Sequence, residues 1–187
     1  MSGSYGIVAD IDRWKAAQPA PEAGLLHWFA VQTRYRFENR VAASLKHKNC
    51  EAYLPVLTES HVWSDREKVV KIPLFPGYAF VRIDRSQRAR QTVMQTAGII
   101  GFVSFGGMVA PVPPKQIEDL QLLLQEKGLF SLHPFVHTGQ RVRIKGGCLR
   151  GLEGVLVQNE KKKLVVSIES IQRSLAIEIQ GYELELV

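Results

Sequence analysis

The sequence predicts an α+β protein in two parts, an N-terminal antiparallel sheet flanked by helices and a small five-stranded β-barrel. Three observations lead to this prediction. Strand-like and helix-like periods alternate over residues 27–128, whereas residues 139–187 contain only short β-rich runs between turn residues. The stretch between them, residues 129–138, has no periodicity and carries Pro134, as a linker does.

The first elements of the N-terminal part are a strand and an amphipathic helix. Residues 28–32 form a short apolar run that predicts the strand, and Phe37, Val41 and Leu45 then recur every four residues along one helical face. Two β-rich runs follow, and polar breaks inside them predict hairpins. The runs are 52–57 and 61–72, with breaks at 58–60 and 64–68.

The next strand, residues 78–83, alternates two kinds of side chain. One face carries Ala79, Val81 and Ile83, and the other carries Tyr78, Phe80 and Arg82. The aliphatic face is the better core, which leaves the aromatic face available for another role.

Two more helices complete the N-terminal part. Residues 87–97 predict one helix, and a strand over 99–104 follows it. Pro114 suits the first turn of the last helix and Gly128 its end. Strands interleaved with three helices indicate an α/β domain.

The C-terminal part is predicted to be all β. Its strands are short and evenly spaced, as in a small barrel. They are predicted at 141–144, 154–158, 164–168, 175–179 and 184–186.

The composition is that of a soluble globular protein. Of 187 residues, 45% are hydrophobic and 22% are charged, so a core can form without disulfides, and Cys50 and Cys148 are interpreted as free thiols. No run approaches the roughly 20 apolar residues of a membrane span. Residues 1–26 mix Gly, Ser, Pro and Ala without a secretion signal, which predicts a loosely ordered tail. A cytoplasmic monomer without membrane contact is expected.

The run from Gly139 to Val155 (GQRVRIKGGCLRGLEGV) resembles a KOW motif, a unit of two strands around a glycine-rich loop. An ordinary glycine-rich hairpin is the alternative. Upstream, residues 28–31 (WFAV), 75–81 (FPGYAFV) and 98–103 (GIIGFV) resemble, in the same order and spacing, the N-terminal (NGN) domain of the NusG family of transcription factors. Together the resemblances cover residues 27–187.

This resemblance implies an NGN domain, an α/β sandwich, followed by an SH3-like KOW barrel of five strands. It also implies a non-catalytic elongation factor that binds RNA polymerase and modulates pausing and termination. A KOW-containing RNA-binding or ribosome-associated protein is the alternative. The chain lacks the sequence motifs of phosphate loops, nucleophile elbows and metalloprotease helices, and its five histidines are scattered, so no enzyme, cofactor or metal site is expected.

Within the family, the chain resembles the specialised RfaH-like antiterminators, which act on selected operons. Residues 49–55 (NCEAYLP) and 73–76 (PLFP) carry this likeness. The family uses part of the KOW domain to meet the termination factor Rho and a ribosomal protein. Where the general factor has a Phe-Gly-Arg turn, this chain has Ile171, Gln172 and Arg173, so neither contact is implied as it stands. Where RfaH contacts the polymerase gate loop through His-Thr-Thr, this chain has Ala, Arg and Gln at 89–91, so that contact is not implied.

Polymerase binding is expected from an aromatic groove, because aromatic anchors bury large area at little cost in side-chain entropy. The alternative is that these aromatic side chains are core. The residues that the resemblance assigns to the groove are Trp28, Phe75, Pro76, Tyr78, Phe80 and Phe105.

Basic side chains predict a contact with the non-template DNA strand. The net charge is +6, and Arg34, Arg36 and Arg40 cluster around Tyr35, which suits phosphate contact with base stacking. Arg88 and Arg90, near Arg85, form a second cluster. Solvated surface charge is the alternative for both clusters.

The C-terminal part is expected to be a permanent barrel. It is rich in β-branched residues, and its glycines disfavour the helical form that the RfaH domain can adopt. A flexible linker and a freely available Tyr78 and Phe80 face are therefore predicted.

Overall fold

The computed structural model describes residues 24–63, 66–125, 130–136, 139–158, 162–179 and 181–187. All but the last three residues of the predicted tail lie outside these ranges. The described residues form an N-terminal α/β unit and a C-terminal all-β unit. Among them, no helix is long and apolar enough to cross a membrane.

The N-terminal unit is built on an antiparallel sheet. Its strands lie in the order β2-β5-β1-β6, and β9 pairs with the beginning of β1. The strands are β1 (His27–Thr33), β2 (Glu51–Tyr53), β5 (Tyr78–Ile83), β6 (Ile99–Phe102) and β9 (Pro111–Val112). The helices are α1 (Glu38–His47), α2 (Gln87–Met94) and α3 (Pro114–Gln125).

The two faces of this sheet are buried in separate hydrophobic clusters, as the alternation along β5 predicts. Ala79, Val81 and Ile83 share a cluster with side chains of α1 and α2. Phe80 lies in the other cluster, together with Ile117 and Leu120 of α3. The sheet is therefore a middle layer with helices on both sides, which confirms the predicted class.

Two hairpins extend from the sheet. Strand β3 (Val56–Trp63) pairs along its whole length with β4 (Arg66–Pro73), so the predicted break at 58–60 is wrong. Polar residues at these positions do not interrupt the strand because β-propensity is weak and pairing with a partner strand can override it. The short strands β7 (Ser104–Phe105) and β8 (Met108–Val109) form the second hairpin, with its turn at Gly106 and Gly107.

Local contacts set the beginnings and ends of the helices. The Glu38 carboxylate accepts a 2.8 Å hydrogen bond from the Gly77 amide, which ties the first turn of α1 to the bend before β5. Ser86 caps α2 by accepting a 3.1 Å bond from the Ala89 amide. This helix ends at Met94, earlier than the predicted 97, since the chain turns before Gly98, whose φ is 98°.

The C-terminal unit is a six-stranded antiparallel sheet in the order β10-β14-β13-β12-β11-β15, where five strands were predicted. Its strands are β10 (Phe130–His133), β11 (Gln140–Ile144), β12 (Glu153–Gln158), β13 (Lys162–Ile168), β14 (Arg173–Glu178) and β15 (Leu184–Leu186). A 3₁₀ helix (Glu169–Ile171) connects β13 and β14.

The additional strand, β10, lies inside the segment predicted as a linker. It pairs with β14 from Phe130 opposite Ile177 to His133 opposite Ser174. Leu132 of β10 is 66% exposed, so the strand has no clear apolar face of its own. Backbone pairing to β14 forms it, and a short edge strand of this kind leaves little periodicity in the sequence.

One glycine is required by close packing of the barrel. A Cβ on Gly154 would stand 2.5 Å from the Val165 carbonyl oxygen of the paired strand. Nearby, Arg143 of β11 pairs with Glu153 at 2.7 Å and with Glu185 at 3.2 Å, which links three neighbouring strands. The glycine-rich loop predicted from the sequence therefore joins β11 and β12 as a tight unit.

Candidate binding surfaces

The aromatic face of the N-terminal sheet is largely covered. Phe80 is fully buried, Phe75 is 2% exposed and Trp28 is also buried. Tyr78 is half-buried and Pro76 is exposed at the same end of β5. The prediction that the Tyr78 and Phe80 face is freely available is wrong for Phe80 in this structure, because α3 and the barrel share its hydrophobic cluster.

Phe105 lies apart from the other predicted groove residues. It is 36% exposed on the β7–β8 hairpin and belongs to neither hydrophobic cluster. The structure therefore gathers Trp28, Phe75, Tyr78 and Phe80 around one cluster, with Pro76 at its margin, and leaves Phe105 elsewhere.

Tyr53 belongs to this aromatic group, although the sequence analysis did not assign it. It lies opposite Phe80 in the β2–β5 pairing, and the two rings stack at 6.3 Å between centroids. The Trp28 ring meets Tyr53 edge-on at 6.5 Å. Burial raises the pKa of the Tyr53 hydroxyl to about 12, so it stays protonated at neutral pH. The signal that could have found it is its place on the strand next to β5.

The barrel docks on the N-terminal unit through α3 and β9. Apolar residues of both units form one continuous cluster, which includes Ile117 of α3 and Leu164 of β13. β13 packs against α3, and the 3₁₀ helix packs against β9. The two units therefore share a core where the sequence predicted a flexible linkage.

Polar contacts at this junction join α3 to two barrel loops. The Lys115 ammonium donates a 2.7 Å hydrogen bond to the Gly151 carbonyl. Gln116 accepts a 3.2 Å bond from the Glu169 amide at the beginning of the 3₁₀ helix. We call Lys115 and Gln116, together with Asp119 of the same helix, the α3 latch.

Asp119 is the buried member of the α3 latch. Its carboxylate pairs with Lys115 one helical turn earlier and accepts a hydrogen bond from the Glu153 amide of the barrel. Burial raises the pKa of Asp119 above its usual value, and the bonds to Lys115 and to the Glu153 amide only partly oppose this effect. Docking therefore places a carboxylate in a poorly solvated position.

The two residues predicted to meet KOW partners have different surroundings. Ile171 is buried at the end of the 3₁₀ helix that packs against β9, whereas Arg173 is exposed at the start of β14. Sequence reasoning could not see that the docked N-terminal unit lies against the 3₁₀ helix. Of these two residues, only Arg173 is accessible to a partner in this arrangement.

Arg34, Arg36 and Arg40 lie together on the surface around the turn between β1 and α1. Arg36 has a left-handed φ of 64°, and its guanidinium lies 5.4 Å from the centre of the Tyr35 ring, which is 70% exposed. Arg40 lies 5.9 Å from the ring centre of Phe37. These contacts hold two of the guanidinium groups over aromatic rings while leaving them open to solvent.

Arg88 and Arg90 are exposed on α2, and Arg85, which precedes this helix, is half-buried. α2 follows β5, whose last residue, Ile83, pairs with His27 at the start of β1. Arg34 instead follows the end of β1. The two basic clusters therefore lie at opposite ends of a seven-residue strand, roughly 20 Å apart.

A family model described as "Transcription termination factor nusG" matches residues 26–121, which is 96 of the 187 residues. Transcription termination/antitermination protein NusG from Staphylococcus aureus strains, Mu50 and N315 among them, is 26% identical over 178 residues, covering 88% of this chain and 97% of the relative. The solved structure on domain interaction in Thermotoga maritima NusG matches with a TM-score of 0.51, 22% identity, and coverage of 89% of this chain and 99% of that chain. At this identity the structural likeness shows the fold alone.

Proposed function

This chain belongs to the NusG family of transcription termination and antitermination factors, and from this membership we propose that it binds RNA polymerase and modulates pausing and termination. The observation that carries the proposal is that the matched region contains a cluster of aromatic side chains on one face of its sheet, with Trp28, Tyr53 and Phe80 in ring contact. Tyr53 and Tyr78 stand partly exposed at the margin of this cluster. Such a margin can grip a protruding helix of a partner.

The docked barrel and polymerase would compete for this region. The barrel packs against α3, which lies on the aromatic side of the sheet, and against β9, which is a strand of the sheet. We infer that polymerase binds the form in which the barrel has moved away, and that Phe75 and Phe80 form the rigid floor of the groove. The same movement would expose Ile171, and with it a surface for a ribosomal protein or Rho.

Binding to core RNA polymerase tests this proposal. Tyr78→Ala removes a half-buried ring at the margin of the groove, so we expect affinity to fall about 30-fold, as for a hot-spot residue worth 2 kcal/mol. Ile100→Ala is the matched control, because Ile100 is 55% exposed on the edge strand β6 of the same sheet. Equal affinities of the two variants and the parent would refute the groove.

We further propose that the N-terminal unit contacts the non-template DNA strand, and that Arg34, Arg36 and Arg40 meet its phosphates. The exposed Tyr35 between them offers a ring on which a base can stack. Reversing these three charges is expected to lower the slope of log K against log salt by about 0.7 for each lost phosphate contact. Arg141 and Lys145, exposed on the barrel, are the control, and reversal there is expected to leave the slope unchanged.

Action on selected operons is the narrower form of the proposal. It rests on the likeness of residues 49–55 and 73–76 to RfaH-like antiterminators, and both segments border the aromatic cluster through Tyr53 and Phe75. Transcription of a set of long operons in a deletion strain measures this selectivity. A uniform change across all transcripts would instead indicate a general factor.

A further inference from the structure

A cavity of about 240 Å³ lies between the start of α2 and the β7–β8 hairpin, away from the aromatic groove. Its walls come from three elements that meet at the beginning of β1. The lining residues are Phe29, Arg85, Arg90, Gly107, Met108 and Val109.

The cavity contains a buried cationic donor without a partner. The Nε–H of Arg85 is buried, and no hydrogen-bond acceptor for it lies among the described residues. Buried donors are nearly always satisfied in folded proteins, because leaving one unpaired costs its desolvation energy. Because solvent does not reach the Nε, a ligand in the cavity would bring its acceptors to the terminal nitrogens of the same guanidinium.

The remaining walls are apolar apart from a second arginine. Phe29 is buried at the base, whereas Met108 is 39% exposed at the rim. Gly107 has a φ of 79° and no neighbouring atom where a Cβ would stand, so its lack of a side chain keeps the rim open. No carboxylate lines the described walls, so the guanidinium groups of Arg85 and Arg90 are not neutralised there.

The cavity is apolar except for the half-buried Arg85 and the exposed Arg90, and this combination suits a planar base joined to a phosphate. We propose that this cavity binds one nucleotide of a single-stranded nucleic acid, with Arg85 donating to the base edge and Arg90 to the phosphate. This inference rests on the nucleic-acid contact in the proposed function. It adds a second point of attachment roughly 20 Å from the Arg34 cluster, a distance that a few nucleotides can span.

An acidic peptide would be the competing occupant, since a carboxylate could also pair with Arg85. The charge distribution favours the polyanion. Arg88 lies on α2 beside the cavity without lining it, and three arginines within six positions suit a run of phosphates better than one carboxylate. Asp84, the acidic residue beside them, already accepts a 2.7 Å hydrogen bond from the Ser86 amide.

Guanine is the base that fits the donor best. It presents two adjacent acceptors, N7 and O6, and arginine pairs with both in one plane. Apart from Arg90, which is assigned to the phosphate, the described lining has no other polar side chain, so a base lacking two adjacent acceptors would leave the Arg85 guanidinium only partly satisfied.

The test uses the full chain and fluorescence anisotropy with a labelled oligothymidylate that carries a single central guanine. The comparison probe has an abasic site at that position. We expect the parent to prefer the guanine probe about tenfold, the value of one good bidentate contact. Arg85→Met keeps the packing of the side-chain stem and is expected to abolish this preference, and Met108→Ala is expected to reduce it.

Arg88→Ala is the matched control, because it removes the same charge from the same helix outside the cavity. It is expected to weaken both probes equally and to keep the preference. If the parent binds both probes with equal affinity, the cavity assignment is overturned while the DNA contact of the Arg34 cluster stands. If polyglutamate displaces the guanine probe more efficiently than unlabelled oligothymidylate does, the occupant is an acidic peptide and the assignment is likewise overturned.

Discussion

The α3 latch offers a direct way to open the docked form. The double variant Lys115→Ala/Gln116→Ala removes one donor to the Gly151 carbonyl and one acceptor from the Glu169 amide. Neither residue belongs to the aromatic groove. The substitutions therefore change docking without changing the groove to which polymerase is proposed to bind.

The size of the effect follows from these two bonds. Each intramolecular hydrogen bond contributes about 1 kcal/mol net, so the pair stabilises docking by about 2 kcal/mol, or about 30-fold in the equilibrium. The charge on Lys115 does not raise this value, because its side chain is 42% exposed and partly screened. The Lys115–Asp119 pair lies within α3, but its loss leaves Asp119 without its ion partner in the poorly solvated docked form, so about 30-fold is a lower limit.

Amide hydrogen exchange of the full chain measures the change. We expect amides of β9 and the 3₁₀ helix to exchange about 30-fold faster in the double variant, while amides of the barrel strands keep their protection. Apparent affinity for polymerase should rise by up to the same factor, because the competent form becomes more populated.

Glu118→Ala is the control for this experiment, since Glu118 is exposed on the same helix. The stabilising role of the α3 latch is refuted if the double variant exchanges like the control. The proposed competition is refuted if β9 opens faster but polymerase affinity does not change, because docking would then not compete with polymerase.

Three further outcomes are expected. Phe80→Ala should lower stability by about 3 to 5 kcal/mol, because the ring is fully buried, whereas Tyr78→Ala should lower the melting temperature by much less, because Tyr78 is only half-buried at the margin of the same cluster. Gly154→Ala should destabilise the barrel, since its Cβ would stand 2.5 Å from a backbone oxygen, while Gly146→Ala meets no atom within 4 Å and should melt like the parent. Burial raises the pKa of Asp119, so the docked form binds a proton more tightly than a hydrated, open form does. Docking should therefore strengthen as the pH falls through the raised pKa and weaken as the pH rises through it. An NMR titration that follows barrel amides measures this change.

Periodicity was sufficient to predict the layers of the N-terminal unit. The alternation of Ala79 and Val81 with Tyr78 and Phe80 separates the two faces of β5, and the structure buries these faces in different clusters. Periodicity shows which side chains share a face, but it does not show what covers that face. The covering by α3 and the barrel depends on contacts between residues far apart in sequence, and no local pattern records them.

The same limit explains the features that the sequence did not reveal. Strand β10 (Phe130–His133) exists because β14 offers it a pairing edge, and Leu132 remains exposed within it. Arg85 looks like any surface arginine in the sequence, whereas in the structure its Nε–H is buried and the residue lines a cavity together with the β7–β8 hairpin. Both features depend on contacts with residues that are distant in sequence.

Docking buries polar groups as well as apolar ones, and the unfavourable burial of the polar groups makes opening easier. The Ser170 hydroxyl is buried beside Ile171 without a hydrogen-bond partner among the described residues, and Asp119 is held in a poorly solvated position. Opening would let water reach both groups, which offsets part of the lost apolar contact. A partner that binds the exposed groove, or one that binds at Ile171, would each favour the open form. Because the coupling is a single free energy, each partner must raise the affinity of the other by the same factor, with the reciprocal of the open fraction as its upper limit.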